Sequence, residues 1–385
     1  MTDDVLIVGA GVIGISIAER LAAEGLRIRV LDGQGVGNGA SGAAAGMLAP
    51  ISEASGPSLL ARAGLESLSR FDGLCARLKD ETGIDPELTS SGILRVVMSD
   101  EERARIGIAR AGLADLIAVH GGESEWVDAP EVKTLTSGLS PSVVGGFYSS
   151  LECHLRPPLL VKALEASARS RGVVFETTVA GMGLRRDASG QVEGVETSSG
   201  FRAAGRVVAA TGAWTSGLLE SSGIQLGGAS IVTPVRGQIL SLEAPLPDSR
   251  TIVWGDGIYF VPKRDGSWIV GATEEHVGFD RRVTAAGVAD LLARARAVFP
   301  SIEGATFGRA WAGLRPVSRD GLPFVGAVPH VEGLFVAAGH GRNGVLLSPV
   351  TAERLCDALL DKGSGTEADA FSPVDRWASE ASRTH

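Results

Sequence analysis

The sequence predicts an α/β chain (α+β overall), in which a discontinuous unit of alternating strands and helices is joined to a second unit built on a mainly antiparallel sheet. Three observations predict it. An apolar run opens the chain, meets a Gly-x-Gly-x-x-Gly turn and continues with apolar residues at helical spacing. Strand-then-helix patterning returns in the middle and near the end. Between those returns, residues 231–273 hold several strand-like runs separated by turns, with no helical pattern. A chain of 385 residues also exceeds what one core usually serves, so two units are expected.

The opening stretch is Val5-Leu-Ile-Val-Gly9-Ala-Gly11-Val-Ile-Gly14, followed by Ile15, Ala18, Leu21 and Ala22 on one helical face. Gly9 permits the turn, Gly11 lets a pyrophosphate approach the backbone, and Gly14 lets the helix sit close on the strand. The helix N-terminus then faces the phosphates with free N–H groups and its positive end. A second strand, Arg27-Ile-Arg-Val-Leu31, ends on Asp32, eighteen residues after Gly14, where a carboxylate can take a ribose hydroxyl. This is a dinucleotide site, and the stretch leaves open which dinucleotide it holds.

After Asp32 and Gly33 the run to Pro50 is rich in small residues, including Ala40, Ser41, Ala45, Gly46 and Met47. Small side chains let the backbone lie against a flat or phosphorylated ligand, and Ser41 can donate to a phosphate oxygen. A long amphipathic helix is expected over 57–82 and a strand over Gly92–Met98, with Ser99 capping the next helix. A strand over Val143–Ser149, a helix over Pro157–Arg171 opened by proline, and strands at Val173–Val179 and up to Glu196 follow. Arg206 to Ala210 reads as a buried strand running into Thr211-Gly212. Beyond the antiparallel segment come a helix over Thr284–Phe299, strand material through Trp311, a buried strand over Gly333–Ala338, and a helix over Val345–Leu360. The tail from Gly363 is polar and expected to fray.

Composition excludes several classes. A net charge of −9 argues against a nucleic-acid partner, which wants a basic face. No apolar run reaches the roughly 18 residues of a membrane span, and no basic-then-apolar leader opens the chain, so a cytoplasmic location is expected. Cys75, Cys153 and Cys356 are odd in number and far apart, which suits free thiols and no metal site.

The fingerprint, Ala40-Ser41, Ala45-Gly46-Met47, Ala210-Thr211-Gly212, Trp311-Ala-Gly-Leu-Arg315-Pro and Gly339-His-Gly-Arg-Asn-Gly-Val-Leu-Leu-Ser348 arrive in an order that resembles the FAD-dependent amine and amino-acid oxidases. That family includes D-amino-acid oxidase and sarcosine oxidase, and the likeness is strongest to the glycine oxidases of thiamine biosynthesis, from about Asp4 to Leu360. It implies a discontinuous Rossmann-like FAD-binding domain (1–84, 145–218, 326–362), a substrate domain on a mainly antiparallel sheet (85–144, 219–325), and a tail (363–385).

Carried over residue by residue, the resemblance puts Val12, Ile13, Asp32, Gly33, Ala40 and Ser41 on the ADP part of FAD. Ala45, Gly46 and Met47 turn toward the flavin, the Val179 backbone meets the adenine, and His340, Gly341, Arg342, Asn343, Gly344, Val345 and Leu346 pass the flavin's pyrimidine edge. A helix starting near Gly344 would aim its positive end where charge accumulates on flavin reduction. Arg315 is the candidate for the substrate carboxylate, because a guanidinium binds one through two parallel hydrogen bonds. Tyr259 matches a second carboxylate-holding position and Arg342 a third position close to substrate, where it could equally pair with an acid.

Two positions depart from the glycine-oxidase pattern. Gly257 stands where a histidine is expected and Glu274 where a methionine is expected. On an extended strand Gly257 would share a face with Tyr259 and leave room for amines larger than glycine. Glu274 could attract an ammonium group or face water. Where the similar sarcosine oxidases carry a flavin-linking cysteine, after Arg315, this chain has none in Pro316–Pro323, so the resemblance implies non-covalent FAD.

The implied reaction moves the α-hydrogen of a small amino acid or amine to the flavin as hydride. The protein contributes orientation, with oxygen as the acceptor and no catalytic acid or base assigned. The sequence is compatible with a homo-oligomer. Rival expectations are a D-amino-acid or secondary-amine dehydrogenase passing electrons to a quinone or carrier, an NAD-dependent dehydrogenase, and a flavin-bearing subunit of a larger oxidase.

Overall fold

The computed structural model describes residues 3–227, 230–247, 249–362, 370–374 and 376–377. One sheet has six strands, in spatial order Phe324–Ala327, Leu334–Ala338, Val207–Ala209, Val5–Val8, Ile28–Leu31 and Val174–Glu176. All neighbours are parallel except the first pair. The opening strand shows why it lies in the middle. Val5 and Ile7 pack into one core with the helices Val12–Ala23, Pro157–Ser170 and Ser348–Leu359, while Leu6 and Val8 pack into another core on the opposite face. A strand apolar on both faces needs cover on both. Beyond the C-terminal ends of these strands lie Gly9, Asp32, Ala210 and Gly339, the crevice where open α/β sheets take ligands.

The second large sheet has eight strands, in order Thr306–Ser318, Val232–Glu243, Trp268–Gly271, Ile258–Pro262, Ile252–Gly255, Ile93–Val97, Gly145–Ser149 and Ser124–Asp128. Every pairing is antiparallel except Ile252–Gly255 with Ile93–Val97. Its core gathers Phe260, Trp268 and Phe299 edge to face, closed by the helix Ala285–Val298. Gly145–Ser149 thus pairs in this sheet rather than with the strands of the expected 145–218 segment, and Phe324 and Val325 pair in the six-stranded sheet.

Three local expectations are corrected. The single helix over 57–82 is two helices, Leu59–Leu68 and Phe71–Thr82. The Ser69 hydroxyl donates to the Glu66 carbonyl at 2.8 Å and the Arg70 guanidinium donates to the same carbonyl, so local side-chain bonds take an acceptor the helix would use. The last helix begins at Ser348, not Val345. Pro349 has no N–H for the Val345 carbonyl, which instead accepts from the Ser348 N–H at 3.2 Å and the Ser348 hydroxyl at 2.9 Å. Upstream, the Leu347 N–H still donates to the Asn343 carbonyl at 2.8 Å, so one helix-like turn stands where a regular helix was expected. Gly257 lies in a tight turn at φ +69° ahead of the strand Ile258–Pro262, so the same-face argument linking it to Tyr259 does not apply.

Within the tail, Phe371 and Trp377 are buried, Phe371 against the helical core and Trp377 against the ring of Phe324. Arg376 pairs with Asp320 at 2.6 Å, so this part of the expected frayed tail is tied down, and residues 363–369, 375 and 378–385 lie outside the described residues.

Candidate functional site

A cavity of about 1010 Å³ runs from the crevice of the six-stranded sheet to the inner face of the eight-stranded one. At the crevice end the fingerprint is built for close approach. Gly9 has φ +115°, and a Cβ there would stand 2.3 Å from the Ala210 carbonyl oxygen, so only glycine lets the two strand ends abut. A Cβ on Gly14 would stand 2.0 Å from the Gly9 carbonyl oxygen, which seats the helix on the turn. The Ser41 hydroxyl accepts from the Val12 N–H at 2.9 Å, and its own proton stays available to a ligand oxygen. Asp32 accepts from the Ala10 N–H at 2.8 Å through one oxygen and from the Gln34 and Gly35 N–H groups at 2.7 and 3.1 Å through the other. This carboxylate on the cavity wall is therefore held rigid by three backbone amides.

In the middle of the cavity the small-residue run is fastened from the antiparallel sheet. The Lys263 ammonium donates to the carbonyls of Ala45 and Leu155 at 2.7 and 2.9 Å, and the Trp311 indole donates to the Ala43 carbonyl at 3.2 Å. Met47 and Leu48 pair with His154 and Cys153. Burial pushes the Lys263 amine down to about 7.

At the far end Arg315 and Tyr259 come together because two glycines clear the space. A Cβ on Gly237 would lie 2.4 Å from the Arg315 guanidinium, and one on Gly271 would lie 2.7 Å from the Tyr259 hydroxyl. Arg315 donates to the Thr273 carbonyl at 3.0 Å and, at 3.5 Å, to the Arg236 carbonyl, and it has no salt bridge among the described residues. Burial lowers its guanidinium from the usual value and pushes the Tyr259 phenol up to about 12. Arg342 bonds Glu274, and each side chain is about half exposed (49% and 51%). Burial drives the His340 imidazole down to about 3, so it is neutral near pH 7, with a 3.0 Å contact to the Thr351 hydroxyl.

Most of the sequence-predicted residues line this one cavity: Gly9, Gly11, Val12, Ile13, Asp32, Gly33, Ala40, Ser41, Ala45, Gly46, Met47, Thr211, Gly212, Tyr259, Arg315, His340, Gly341, Arg342, Gly344 and Val345. Gly257 and Glu274 line it as well. Gly14, Val179, Asn343 and Leu346 do not. Gly14 serves the helix–strand contact, Val179 packs into the second core beside the lining residues Ala180 and Gly181, and Leu346 is buried in the first core. Cys75, Cys153 and Cys356 are buried elsewhere.

Sequence reasoning missed Glu53, Trp254 and Arg294, which also line the cavity. Loss of hydration pushes the Glu53 carboxyl up to about 7, opposed by the positive charges of Arg342 and Arg315. Trp254 meets Tyr259 edge to face at 6.5 Å, and Arg294 ties the Gly257 turn to Asp290. Glu53 was the one acid in an otherwise apolar and small stretch from Ala43 to Ala54, the signal that could have found it.

The donor set fits FAD. A glycine-lined crevice, a fixed carboxylate and a capped helix start suit the dinucleotide half, and a wall of small residues facing aromatic and cationic groups suits a flat ring with substrate beside it. Comparison with known proteins agrees. The chain is 36% identical over 378 residues to a glycine oxidase of Geobacillus kaustophilus, covering 96% of each, and 34% identical to a glycine oxidase of Pseudomonas putida, covering 98% of this chain and all of that one. The crystal structure of glycine oxidase from Geobacillus kaustophilus superposes with a TM-score of 0.90 at 35% identity, over 96% of this chain and 98% of that one. Residues 4–358 match the family model for DAO, FAD dependent oxidoreductase, and the chain belongs to that family.

Proposed function

We propose that this enzyme oxidatively deaminates glycine or other small amino acids and amines, such as sarcosine and D-alanine, to a 2-oxo acid, ammonia or an amine, and hydrogen peroxide. The observation that carries the reading is Arg315, a guanidinium on the wall of the FAD-sized cavity with no acid partner among the described residues and with Tyr259 beside it. Such a group receives a carboxylate from outside the chain. The likeness to glycine oxidases across nearly the whole chain supports it, and relatives named bifunctional protein ThiO/ThiG support a place in thiamine biosynthesis.

Non-covalent FAD supplies the two-electron acceptor that oxygen restores. The six-stranded sheet and its helices hold the cofactor, with Val12, Ile13, Asp32, Gly33, Ala40 and Ser41 toward its ADP part and Ala45 to Met47, His340 to Arg342, Gly344 and Val345 toward its ring. The eight-stranded sheet brings Arg315 and Tyr259 to the substrate carboxylate, fixing the α-carbon against the ring. The neutral His340 and the Thr351 hydroxyl it contacts make no charge there. No helix among the described residues is long and apolar enough to cross a membrane. A cytoplasmic enzyme, monomeric or homo-oligomeric, is the setting we infer.

The test is anaerobic mixing with a panel of small amines and amino acids, scored by bleaching of the flavin band, then admission of oxygen. Bleaching by glycine, sarcosine or D-alanine and rapid recovery with peroxide is expected. Bleaching followed by slow recovery would turn the reading to a dehydrogenase, and no bleaching by any carboxylate-bearing amine would overturn it. The names of the relatives favour the oxidase.

A further inference from the structure

We infer that Glu274 determines which carboxylate-bearing amines the cavity accepts, by occupying Arg342 so that Arg315 alone is left to receive a carboxylate. The inference rests on the amino-acid reading of the cavity. Among the described residues, three guanidinium groups line the cavity, those of Arg294, Arg315 and Arg342. Arg294 is neutralised by Asp290 at 2.8 Å and Arg342 by Glu274, while Arg315 makes no salt bridge among the described residues. The Arg342–Glu274 pair joins the two halves of the molecule. Glu274 follows the strand Trp268–Gly271 of the eight-stranded sheet, and Arg342 lies in the turn after Leu334–Ala338 of the six-stranded one. Arg315 is anchored on the carbonyl of Thr273, the residue next to Glu274, so the free and the occupied guanidinium face the same end of the cavity.

The chemical consequence follows from charge. An amino acid with one carboxylate and a neutral nitrogen substituent finds one free guanidinium and needs no other. An amine with a second carboxylate, such as N-carboxymethylglycine, must either break the Arg342–Glu274 pair or bring its second anion close to the Glu274 carboxylate. Repulsive placement of this kind is how binding sites exclude near-cognate ligands. Because both partners are about half exposed, the pair itself adds little to folding stability, so its replacement leaves the scaffold in place. Glu274 therefore acts as a positioning residue through Arg342.

The test uses the FAD-loaded enzyme as wild type, Glu274→Asp, Glu274→Gln and the double variant Glu274→Gln/Arg342→Met. Calorimetry measures binding of two unreactive ethers, methoxyacetate with one carboxylate and diglycolate with two. In parallel, kcat/KM is measured for their amine counterparts, sarcosine and N-carboxymethylglycine. Glu274→Gln is expected to improve diglycolate relative to methoxyacetate by about tenfold or more, with the kcat/KM ratio moving the same way. Glu274→Asp should keep the wild-type ratio, and the added Arg342→Met should abolish the gain. A ratio unchanged within about twofold in Glu274→Gln while methoxyacetate still binds, or a gain that survives Arg342→Met, overturns the inference alone. Failure of methoxyacetate to bind any form, with no flavin bleaching by either amine, overturns the amino-acid reading and this inference with it.

Discussion

The Ser52 hydroxyl donates to the Glu152 carboxylate at 2.5 Å, and the Ile51 and Ser52 N–H groups donate to the same carboxylate at 2.8 and 2.6 Å. Both side chains are buried, and Arg110, also buried, reaches the Ser52 hydroxyl at 3.3 Å. Arg95 donates to the Ser52 carbonyl at 2.8 Å. One buried carboxylate thus fixes the turn that delivers Glu53 to the cavity. Burial raises the Glu152 carboxyl from its usual value, against the pull of Arg110 and the three donors. Glu152→Ala should destabilise the protein by about 3 kcal/mol or more, because it leaves three buried donors without their acceptor. Glu152→Gln, which can still accept, should cost less. Denaturant melts of the FAD-loaded protein check this, and equal stability of the alanine variant and wild type would refute it.

Ser41 links the small-residue run to the first helix through its bond to the Val12 N–H. Ser41→Ala leaves that buried amide without its cap and should cost about 1 kcal/mol of stability. It also removes a donor from the proposed phosphate site, so FAD affinity should fall by more than the thermal shift alone accounts for. Reconstitution of the apoprotein with FAD, followed by flavin fluorescence, gives the affinity. An unchanged dissociation constant would remove Ser41 from the phosphate site.

Arg315→Ala should leave FAD bound and weaken carboxylate substrates by on the order of 3 kcal/mol, about a hundredfold or more in kcat/KM. Arg315→Lys should recover only part of this, since an ammonium lacks the planar fork. Gly237 leaves the guanidinium its space, so Gly237→Ala should mimic part of the loss by displacing Arg315 without touching its charge. Near-wild-type kcat/KM in Arg315→Ala would end its assignment as the carboxylate site.

What the sequence made legible was local or alternating. The Val5–Val8 strand, its glycine turn and the next helix are written in consecutive residues, and the antiparallel segment shows as strand patterns between turns. What it hid was decided by side chains meeting across the fold. The break at Ser69-Arg70 depends on two side chains competing for the Glu66 carbonyl. The late start at Ser348 depends on one missing proline N–H. The same-face placement of Gly257 with Tyr259 failed because Gly257 takes a positive φ in the turn ahead of the strand. Arg315 could be picked out by its motif, but its lack of an acid partner could not, since Arg342, equally well placed in sequence, turned out to have one. Glu53 owes its character to a loop held by Glu152, about a hundred residues away in the chain.

Glu53 gives the cavity a pH dependence of defined sign. Its carboxyl, pushed up to about 7, is neutral on the acid side and ionised on the alkaline side. Of the other groups at that end, Tyr259 at about 12 and His340 at about 3 do not titrate between pH 6 and 8. Ionised Glu53 therefore adds a negative charge near Arg342 and Arg315 as pH rises, and an incoming carboxylate should bind more weakly there. Methoxyacetate, which has no amine to titrate in this range, isolates the effect. Its affinity should fall by about 1–2 kcal/mol, roughly five- to thirtyfold, as pH rises through about 7, and become flat in Glu53→Gln. A wild-type profile that is flat from pH 6 to 8, or one that keeps its slope in Glu53→Gln, would show that another group carries the charge.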